Sequence, residues 1–349
     1  MRVCLFSEGL APPFDEGIKN VAVSLASSLA AGHECLILTK GGQDSEAPKI
    51  KNVAANRFLL GRALQRQLSG ARPDLVIYVP TACATLASFV RARTLRYSAR
   101  GARTILLILQ PRPYGRIARK MLRVLARNVV VVALSPQTRN SLQALGCQAE
   151  LWAPGVDLRR FSPVANEEKE RLRQRYGLPF DARIVLHVGH INAGRGIEIL
   201  EVLQGRGTQV LLVGSTHTAQ DQALARKLET AGCVVIRECV PQIEDIYRLA
   251  DCYLFMTMDK KESIEVPLSV LEAMSCNLPV ITTPFGGLPA LFAEGGGLFY
   301  FAQGSELGQK VRDVWSLTHV NTRMKVLSYD WTMVSRRLAA LASGQEAAS

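Results

Sequence analysis

The chain has 349 residues, of which 48% are hydrophobic and 21% are charged, and its net charge is +12. This balance is typical of a globular protein with a buried interior, and the length favours two domains. No run approaches the roughly 18 uninterrupted apolar residues of a membrane span, and no internal repeat stands out. The apolar opening VCLF ends at Ser7 and Glu8, which predicts a first strand and not a signal peptide.

The first half alternates short apolar runs with helical segments. In chain order we predict the strand VCLFSEG, the helix IKNVAVSLASSLAAGHE, the strands ECLILTK and DLVIYVP, the helix TLASFVRARTLRYSARG, the strand TILLILQ, the helix GRIARKMLRVLARN, the strand VVVVALS and the helix PQTRNSLQALG. This alternation predicts a parallel sheet covered by helices on both faces. The segment AELWAPGVDLRRFSP then indicates a linker, because prolines and turn residues interrupt the pattern.

A second series follows the linker: the strand IVLHVGH, the helix GIEILEVLQG, the strand QVLLVGS, the helix TAQDQALARKLETAG, the strand CVVIREC, the helix IEDIYRLAD, the strand CYLFMT, a helix over 268–276 and the strand PVITTP. We therefore predict an α/β protein with two doubly wound parallel-sheet domains, 1–160 and 161–327, that bind ligands at the carboxyl ends of their strands. An amphipathic helix at 328–342 is expected to cap one domain, and packing back on the first is one option.

Charge is distributed unevenly along the chain. Residues 1–162 contain 23 Lys and Arg against nine Asp and Glu, a net charge of +14, whereas the remainder carries −2. No acidic residue lies between Asp74 and Glu150. The basic half suits an anionic partner, which leaves a membrane surface, a nucleic acid or a phosphorylated substrate as alternatives.

The sequence contains no pattern typical of a metal or dinucleotide site. The eight cysteines form no CxxC pair and have no His or Cys partners at zinc spacing. We therefore predict buried, reduced thiols, no metal and no cofactor. No GxGxxG or GxxxxGK[ST] motif follows a strand, which argues against an NAD-dependent oxidoreductase or a P-loop protein.

The stretch ESIEVPLSVLEAMSCNLPVITTPFGGLP, residues 262–289, combines carboxylates with a short apolar helix. Pro267 suits the first helical position, so the amides of Leu268 and Ser269 are free donors at the positive end of the helix dipole. Glu272 lies one turn further on. Its carboxylate can accept hydrogen bonds from sugar hydroxyls while a diphosphate binds the amides. The alternative is a glutamate on a solvated helix face.

The runs PLSVLEAM, PVIT and GG, together with APGVDLRRF, VGHINAGRG and YDWTMVSRRL, resemble the group 1 (family 4) glycosyltransferases. The resemblance covers essentially the whole chain and implies the GT-B fold, in which two Rossmann-like domains face each other across a cleft. It also implies transfer of a sugar from a nucleotide-sugar to an acceptor, typically with retention and without a catalytic metal. The C-terminal domain then holds the nucleotide and the N-terminal domain the acceptor.

Carried onto this sequence, the resemblance implies a donor site. Glu272 matches the glutamate that binds the ribose hydroxyls, and Arg195 in VGHINAGRG matches the basic residue that binds the diphosphate. His190 stands where a second cation is usual, and Lys19 is the alternative for that role. Gly17 in PPFDEGIKN matches the glycine-rich loop whose backbone contacts the diphosphate.

The chain departs from the family pattern at two positions. Ile264 stands where the first glutamate of the E-x7-E motif contacts the transferred hexose, with Glu265 one residue late and Glu262 two early; we predict Glu265 as the catalytic substitute. Gln110 stands where a histidine is frequent, which removes a candidate base and favours retention, with a donor phosphate oxygen accepting the proton. The backbone near Val240, in ECVPQIEDIYRLAD, is expected to face the nucleobase.

The segment GRIARKMLRVLARN predicts a basic amphipathic helix, a type that lies on anionic bilayers. Apolar Ile117, Met121, Val124 and Leu125 share one side with Asn128. The other side carries the cations Arg116, Arg119, Lys120, Arg123 and Arg127. We predict a cytoplasmic protein bound peripherally to the inner face of a membrane; an ordinary helix with a solvated basic face is the alternative.

Together these features favour a glycosyltransferase with a lipid-linked or polysaccharide acceptor, as in the biosynthesis of cell-envelope polysaccharides. A non-catalytic GT-B protein that binds a membrane or a partner is the alternative, motivated by Ile264 and Gln110. Nucleic-acid binding is disfavoured, because the stretch from 91 to 127 offers only Tyr97 and Tyr114 for base stacking.

Overall fold

The computed structural model describes residues 1–81, 83–205, 207–216 and 220–343, and the chain divides into two compact units. The first unit comprises Met1–Gly155, Ile264–Val266 and the chain from Trp331 onward; the second comprises Val156–Ser263 and Pro267–Asp330. Each is built on one mostly parallel sheet with helices in the connections, so the predicted α/β class with two Rossmann-like sheets is confirmed.

In the part of the first unit that the structure describes, there are eight strands and the helices that connect them. Its strands are β1 (Arg2–Glu8), β2 (Glu34–Lys40), β3 (Ser45–Glu46), β4 (Lys49–Asn52), β5 (Leu75–Val79), β6 (Arg103–Ile108), β7 (Val130–Ala133) and β8 (Ala149–Leu151). Its helices are α1 (Gly17–Ala30), α2 (Arg62–Ala71), α3 (Leu86–Ser98), α4 (Arg116–Leu125), α5 (Pro136–Ala144) and, at the end of the chain, α13 (Trp331–Ser343).

The sheet order in the first unit is β3-β4-β2-β1-β5-β6-β7-β8. Pairing is parallel, with Val3 opposite Cys35 and Leu75, except between β3 and β4, which are antiparallel. Neither this edge pair nor α2 was predicted, because the segments are short and polar and show no clear apolar period.

The described residues of the second unit form six strands and seven helices, with short 3₁₀ turns among their connections. Its strands are β9 (Arg183–Gly189), β10 (Thr208–Gly214), β11 (Val234–Ile236), β12 (Cys252–Phe255), β13 (Val280–Thr282) and β14 (Leu298–Tyr300). Its helices are α6 (Asn166–Arg175), α7 (Gln222–Thr230), α8 (Ile243–Leu249), α9 (Leu268–Ser275), α10 (Leu288–Leu291), α11 (Leu307–Trp315) and α12 (Thr322–Val326). The predicted helix GIEILEVLQG is a 3₁₀ helix, Ile197–Leu203, and not an α-helix.

The sheet order in the second unit is β11-β10-β9-β12-β13-β14, all parallel. Counted within the unit this is 3-2-1-4-5-6, the order of dinucleotide-binding folds. The chain leaves β9 towards one edge of the sheet and returns at β12 to build the other. The carboxyl ends of β9 and β12 therefore flank the crevice where such sheets bind ligands.

Each unit has its own apolar core. In the first, Phe6, Val76 and Leu106 on the central strands are fully buried with Phe89 of α3. In the second, Val185, Leu212 and Leu254 on the strands pack with residues of the connecting helices. Because parallel strands are covered on both faces, they read in the sequence as continuous apolar runs, which is why most of them were predictable.

Helix α13 packs within the first unit. The Trp152 indole donates to the Val334 carbonyl at 2.8 Å, and the hydroxyls of Ser28 on α1 and Ser335 are 2.9 Å apart. A Cβ on Gly155 would lie 2.7 Å from the Trp331 ring, so the chain approaches this helix through a glycine. The unit boundary after Gly155 lies a few residues before the predicted one at 160.

Candidate functional site

The helix α9 begins at Leu268, the first residue of the predicted range 268–276, but Pro267 precedes the helix and is not its first residue. Pro267 is the N-cap, with φ −64° and an extended ψ of 127°, so Leu268 is the first helical residue. Leu268 is buried and Ser269 is half-buried. Asn277 follows the helix with φ 59°, the left-handed conformation that commonly ends helices at asparagine or glycine. The backbone amides of Leu268 and Ser269 lie in the first turn of α9, where amides have no hydrogen-bond acceptor within the helix.

Glu272 faces the second unit's interior and is half-buried. The Tyr247 hydroxyl of α8 donates a hydrogen bond to Glu272 Oε2 at 2.7 Å. Burial raises the pKa of Glu272 to about 7, although the Tyr247 hydrogen bond and the Arg160 charge oppose the rise. The side chain is therefore not on a solvated helix face, and it titrates in the physiological range.

Arg195 lies in the loop after β9, at the end of the 3₁₀ turn Ala193–Arg195. The residue is only 7% exposed, and its Nε is buried with no hydrogen-bond partner in the part of the chain that the structure describes. A Cβ on Gly189 would lie 3.2 Å from Arg195 Nη1, so the guanidinium lies directly over the end of β9. Burial lowers the pKa of Arg195. A buried cation with an unused donor is suited to an anionic ligand.

Tyr253 on β12 connects the carboxyl end of β9 to the start of α9. Its hydroxyl donates to the Val188 carbonyl at 3.3 Å and also hydrogen-bonds the Ser269 side chain. Glu272 and Arg195 both act electrostatically on this phenol. The carboxylate and the guanidinium therefore belong to one cluster at the carboxyl edge of the sheet.

His187 was not singled out in the sequence, although a histidine within the apolar strand IVLHVGH is a usable signal. Its Nδ1 lies 3.0 Å from the Leu254 carbonyl, and because a carbonyl only accepts, Nδ1 carries the proton. Nε2 is then an acceptor, buried and without a partner among the described residues. Burial lowers the pKa of His187 to about 4, so the ring is neutral beside Arg195.

Glu262 also belongs to this cluster. Its Oε2 accepts a hydrogen bond from Asn192 Nδ2 at 3.0 Å, and Asn192 Oδ1 accepts one from the Arg195 amide at 3.1 Å. The carboxylate lies against Gly194, where an added Cβ would be 2.7 Å from Glu262 Cδ. From the sequence, Glu262 was considered only as an acid near the position of Ile264.

The other second-unit residues of the predicted donor site lie on connections. His190 directly follows β9 and is half-buried. Val240 is half-buried in the loop between β11 and α8. Both lie after the carboxyl ends of strands, as ligand-binding residues of such sheets do.

Three predicted site residues belong to the first unit. Gly17 is the first residue of α1, where a Cβ would meet Ile264 only at an ordinary 3.6 Å. Lys19 is buried, its Nζ donates to the Ala11 carbonyl at 3.4 Å, and burial lowers its pKa. The roles predicted for Gly17 and Lys19 stay predictions.

The third of these residues, Glu265, is buried against α5. Its amide donates to the Leu109 carbonyl at 2.9 Å. Its Oε1 accepts hydrogen bonds from the hydroxyls of Ser135 and Thr138, each at 2.8 Å. Ser135 is the N-cap of α5, so the carboxylate stabilises the positive end of that helix. A role for Glu265 in transfer stays a prediction.

In helix α4, Leu122 is buried in the core and Leu125, predicted on the apolar side, is half-buried against it, whereas the other apolar residues of that side are exposed. Ile117, Met121 and Val124 are 78%, 44% and 62% exposed and form an i, i+4, i+7 stripe. The cations Arg116, Arg119, Lys120, Arg123 and Arg127 are also exposed. Within the described residues, no helix is both long and apolar enough to cross a bilayer, and no three His, Cys, Asp or Glu side chains converge as metal ligands.

Comparison with known proteins finds a family match that lies mostly in the second unit. Residues 183–316 match the family model for group 1 glycosyl transferases. The D-inositol 3-phosphate glycosyltransferase of Corynebacterium jeikeium is 29% identical over 169 residues, which cover 44% of this chain and 39% of that protein. The chain thus spans well under half the length of this curated relative.

Two solved structures resemble the whole chain. A glycosyltransferase from Rickettsia africae has a TM-score of 0.79 at 15% identity, covering 98% of both chains. The Anabaena protein HepE, in complex with UDP and glucose, has a TM-score of 0.76 at 16% identity, covering 99% of this chain and 100% of its own. These likenesses confirm the predicted GT-B fold. The match of residues 183–316, which contain Glu272 and Arg195, to the group 1 glycosyl transferases confirms the predicted family resemblance.

Proposed function

We propose that this protein is a nucleotide-sugar-dependent glycosyltransferase whose donor site is the cluster at the carboxyl edge of the second sheet. The observation that carries the proposal is Arg195, a buried guanidinium with an unpartnered Nε among the described residues, in the segment that matches the group 1 family. Such a cation is stabilised when an anion binds, and a diphosphate supplies that anion.

Each part of the donor has a chemical counterpart in the second unit. The diphosphate binds Arg195 and the first amides of α9, at Leu268 and Ser269, where the helix dipole favours negative charge. The ribose hydroxyls donate to the Glu272 carboxylate. The base lies beside the loop that contains Val240, and His190 adds a donor near the phosphates.

For the transfer step we propose retention without a metal. A general base for an inverting displacement would have to take the acceptor proton. Gln110, which stands near the end of β6, cannot do so. A front-face retaining transfer needs no such residue, because an oxygen of the departing diphosphate accepts the proton.

A panel of nucleotides tests the donor site directly. Isothermal titration of the full chain with UDP, GDP and ADP should show saturable binding of at least one, with a matching rise in melting temperature. Binding with no turnover of any nucleotide-sugar would favour a non-catalytic GT-B protein. The presence of Ile264 where the family has a glutamate is the sequence feature that supports this alternative. Absence of binding by all three nucleotides would overturn the proposal, and binding of NAD would indicate an oxidoreductase.

For the acceptor we propose a lipid-linked or polysaccharide molecule, reached by docking α4 on an anionic membrane. The exposed stripe of Ile117, Met121 and Val124, flanked by cations, is the arrangement of interfacial helices. Tyr97 on α3 adds an exposed aromatic ring, and Arg93 connects it to α4 by stacking on the ring and donating to the Val124 carbonyl. Each cation near an anionic surface contributes about 1 kcal/mol.

Replacing Ile117, Met121 and Val124 together by serine should lower binding to phosphatidylglycerol vesicles by roughly tenfold or more, because three apolar groups no longer enter the interface. Vesicle co-sedimentation measures this. As a control, serine at the exposed Phe180 and Val202 of the second unit should leave binding unchanged. The membrane proposal would be contradicted if the wild-type protein does not bind anionic vesicles, or if the triple variant binds them as strongly as the wild type.

A further inference from the structure

His187 lies on β9 at the point where this strand separates from β12. The two strands pair only as far as Leu186 and Tyr253, whereas β9 stays paired with β10 up to Gly189. One position beyond the last pair, the ring of His187 bridges the gap, because its Nδ1 donates to the Leu254 carbonyl at 3.0 Å. The side chain therefore stands at the base of the crevice where such sheets bind ligands.

The other ring nitrogen of His187 is a buried acceptor without a partner. The residue is 1% exposed, and Nε2 has no hydrogen-bond partner among the described residues. Burial lowers the pKa of the ring to about 4, so the ring is neutral and Nε2 keeps its lone pair. Because a buried acceptor left unpaired is unfavourable, this nitrogen points to a donor that it meets in another state of the protein.

The guanidinium of Arg195 is the donor that lies beside this nitrogen. A Cβ on Gly189 would be 3.3 Å from His187 Nε2 and 3.2 Å from Arg195 Nη1, so both nitrogens border the same small space above the glycine. Burial has the largest effect on the pKa of His187, and among neighbouring charges Arg195 has a larger effect than His190. An unpaired acceptor and a cation with an unpaired Nε therefore lie side by side.

A diphosphate cannot satisfy the histidine directly, because its oxygens are themselves acceptors. It can do so through Arg195. A guanidinium has five N–H donors in a planar fork, so it can bind an anion along one edge and donate to a histidine from another. An anion that turns this plane towards itself would bring Nη1 onto Nε2 across the space that Gly189 leaves open.

We propose that His187 is a positioning residue of the donor site: Nε2 accepts a hydrogen bond from the Arg195 guanidinium when a nucleoside diphosphate binds, and thereby fixes the plane of that cation against the diphosphate. The inference rests on the proposed function, because it requires a diphosphate at Arg195. Nδ1 has the separate task of bridging β9 and β12. The two tasks can be separated, because a different amide side chain replaces each ring nitrogen.

The experiment is a double-mutant cycle, measured by isothermal titration of the full chain with whichever of UDP, GDP and ADP binds the wild-type protein most tightly. In His187→Asn the amide nitrogen takes the place of Nδ1 and keeps the bond to Leu254, whereas no atom takes the place of Nε2. Affinity should fall roughly tenfold. In an Arg195→Leu background the same substitution should have no further effect, because the partner of Nε2 is already absent.

Two further variants separate positioning from support of the fold. His187→Gln puts an amide oxygen at the place of Nε2 and leaves the Leu254 carbonyl unpaired, so the melting temperature should fall while the affinity stays near the wild-type value. His319→Asn makes the matched change at an exposed histidine between α11 and α12, and it should alter neither quantity.

The inference is overturned if His187→Asn binds the nucleotide as tightly as the wild type, or if it weakens binding equally with and without Arg195. A glutamine variant that loses as much affinity as the asparagine variant would also contradict it. A wild-type chain that binds none of the three nucleotides overturns the proposed function, and this inference with it.

Discussion

Arg195→Leu is expected to lower the affinity for the nucleoside diphosphate by roughly 30-fold or more, because removing one partner of a desolvated charge pair costs about 2–5 kcal/mol. The guanidinium is buried at the end of β9 with an unpartnered Nε among the described residues, so its interactions with the ligand are not replaced by other contacts. Isothermal titration with the nucleotide that binds the wild-type protein measures the loss.

The same variant should not destabilise the unliganded protein. A buried cation with unsatisfied donors is unfavourable in the folded state, and leucine removes that penalty while it fills part of the space. The melting temperature should therefore stay the same or rise. Arg171→Leu, which removes an exposed charge from α6, is the matched control and should change neither quantity. A strong loss of stability with normal binding would show that Arg195 is a structural residue.

The second large effect concerns Glu272, which should make the affinity for the nucleoside diphosphate depend on pH. Only the ionised carboxylate offers both oxygens as acceptors to the ribose hydroxyls, and burial raises the pKa of Glu272 to about 7. Affinity for the nucleoside diphosphate should therefore fall as the pH is lowered through about 7. Glu272→Ala should lose roughly 10- to 100-fold in affinity at pH 8, since hydrogen bonds to a charged group contribute about 1.5–3 kcal/mol each. Titrations from pH 5.5 to 8.5 measure both.

Tyr247→Phe tests the origin of this pH dependence. The Tyr247 hydroxyl donates to Glu272 and so lowers its pKa; without it, the midpoint of the binding profile should move to higher pH. Glu272→Gln should abolish the dependence altogether. A profile that keeps its wild-type midpoint in both variants would exclude Glu272 as the titrating group.

The contribution of Glu272 to the free energy of unfolding of the unliganded protein should change with pH in the opposite direction to the ligand affinity. Burial raises the folded-state pKa of Glu272 from its ordinary value of 4.5 to about 7, so between about pH 4.5 and 7 the folded state binds more protons than the unfolded chain. The free energy of unfolding therefore gains a favourable contribution at low pH, which is lost as the pH rises through about 7. Thermal melts of Glu272→Gln should lack this contribution.

The sequence predicted the features that depend on neighbouring residues. Continuous apolar runs gave most of the parallel strands, because strands covered on both faces are apolar throughout. The helix at Glu272 and the position of Arg195 after β9 follow from short motifs with a local mechanism. The polar edge strands β3 and β4 and the 3₁₀ helix Ile197–Leu203 have no such signal, and the sequence missed them.

What the sequence did not determine are the partners of the buried polar groups. Glu265 and Glu262 differ by three positions, yet one accepts from Ser135 and Thr138 of the first unit and the other from Asn192 of the second. Contacts over such separations are decided by the packing of whole elements. Local sequence pattern therefore determined most strands and helices and the family motifs. Tertiary structure decided which acid lies beside Arg195. The reason is that a carboxylate becomes part of a site only where the fold brings its donors within hydrogen-bond distance.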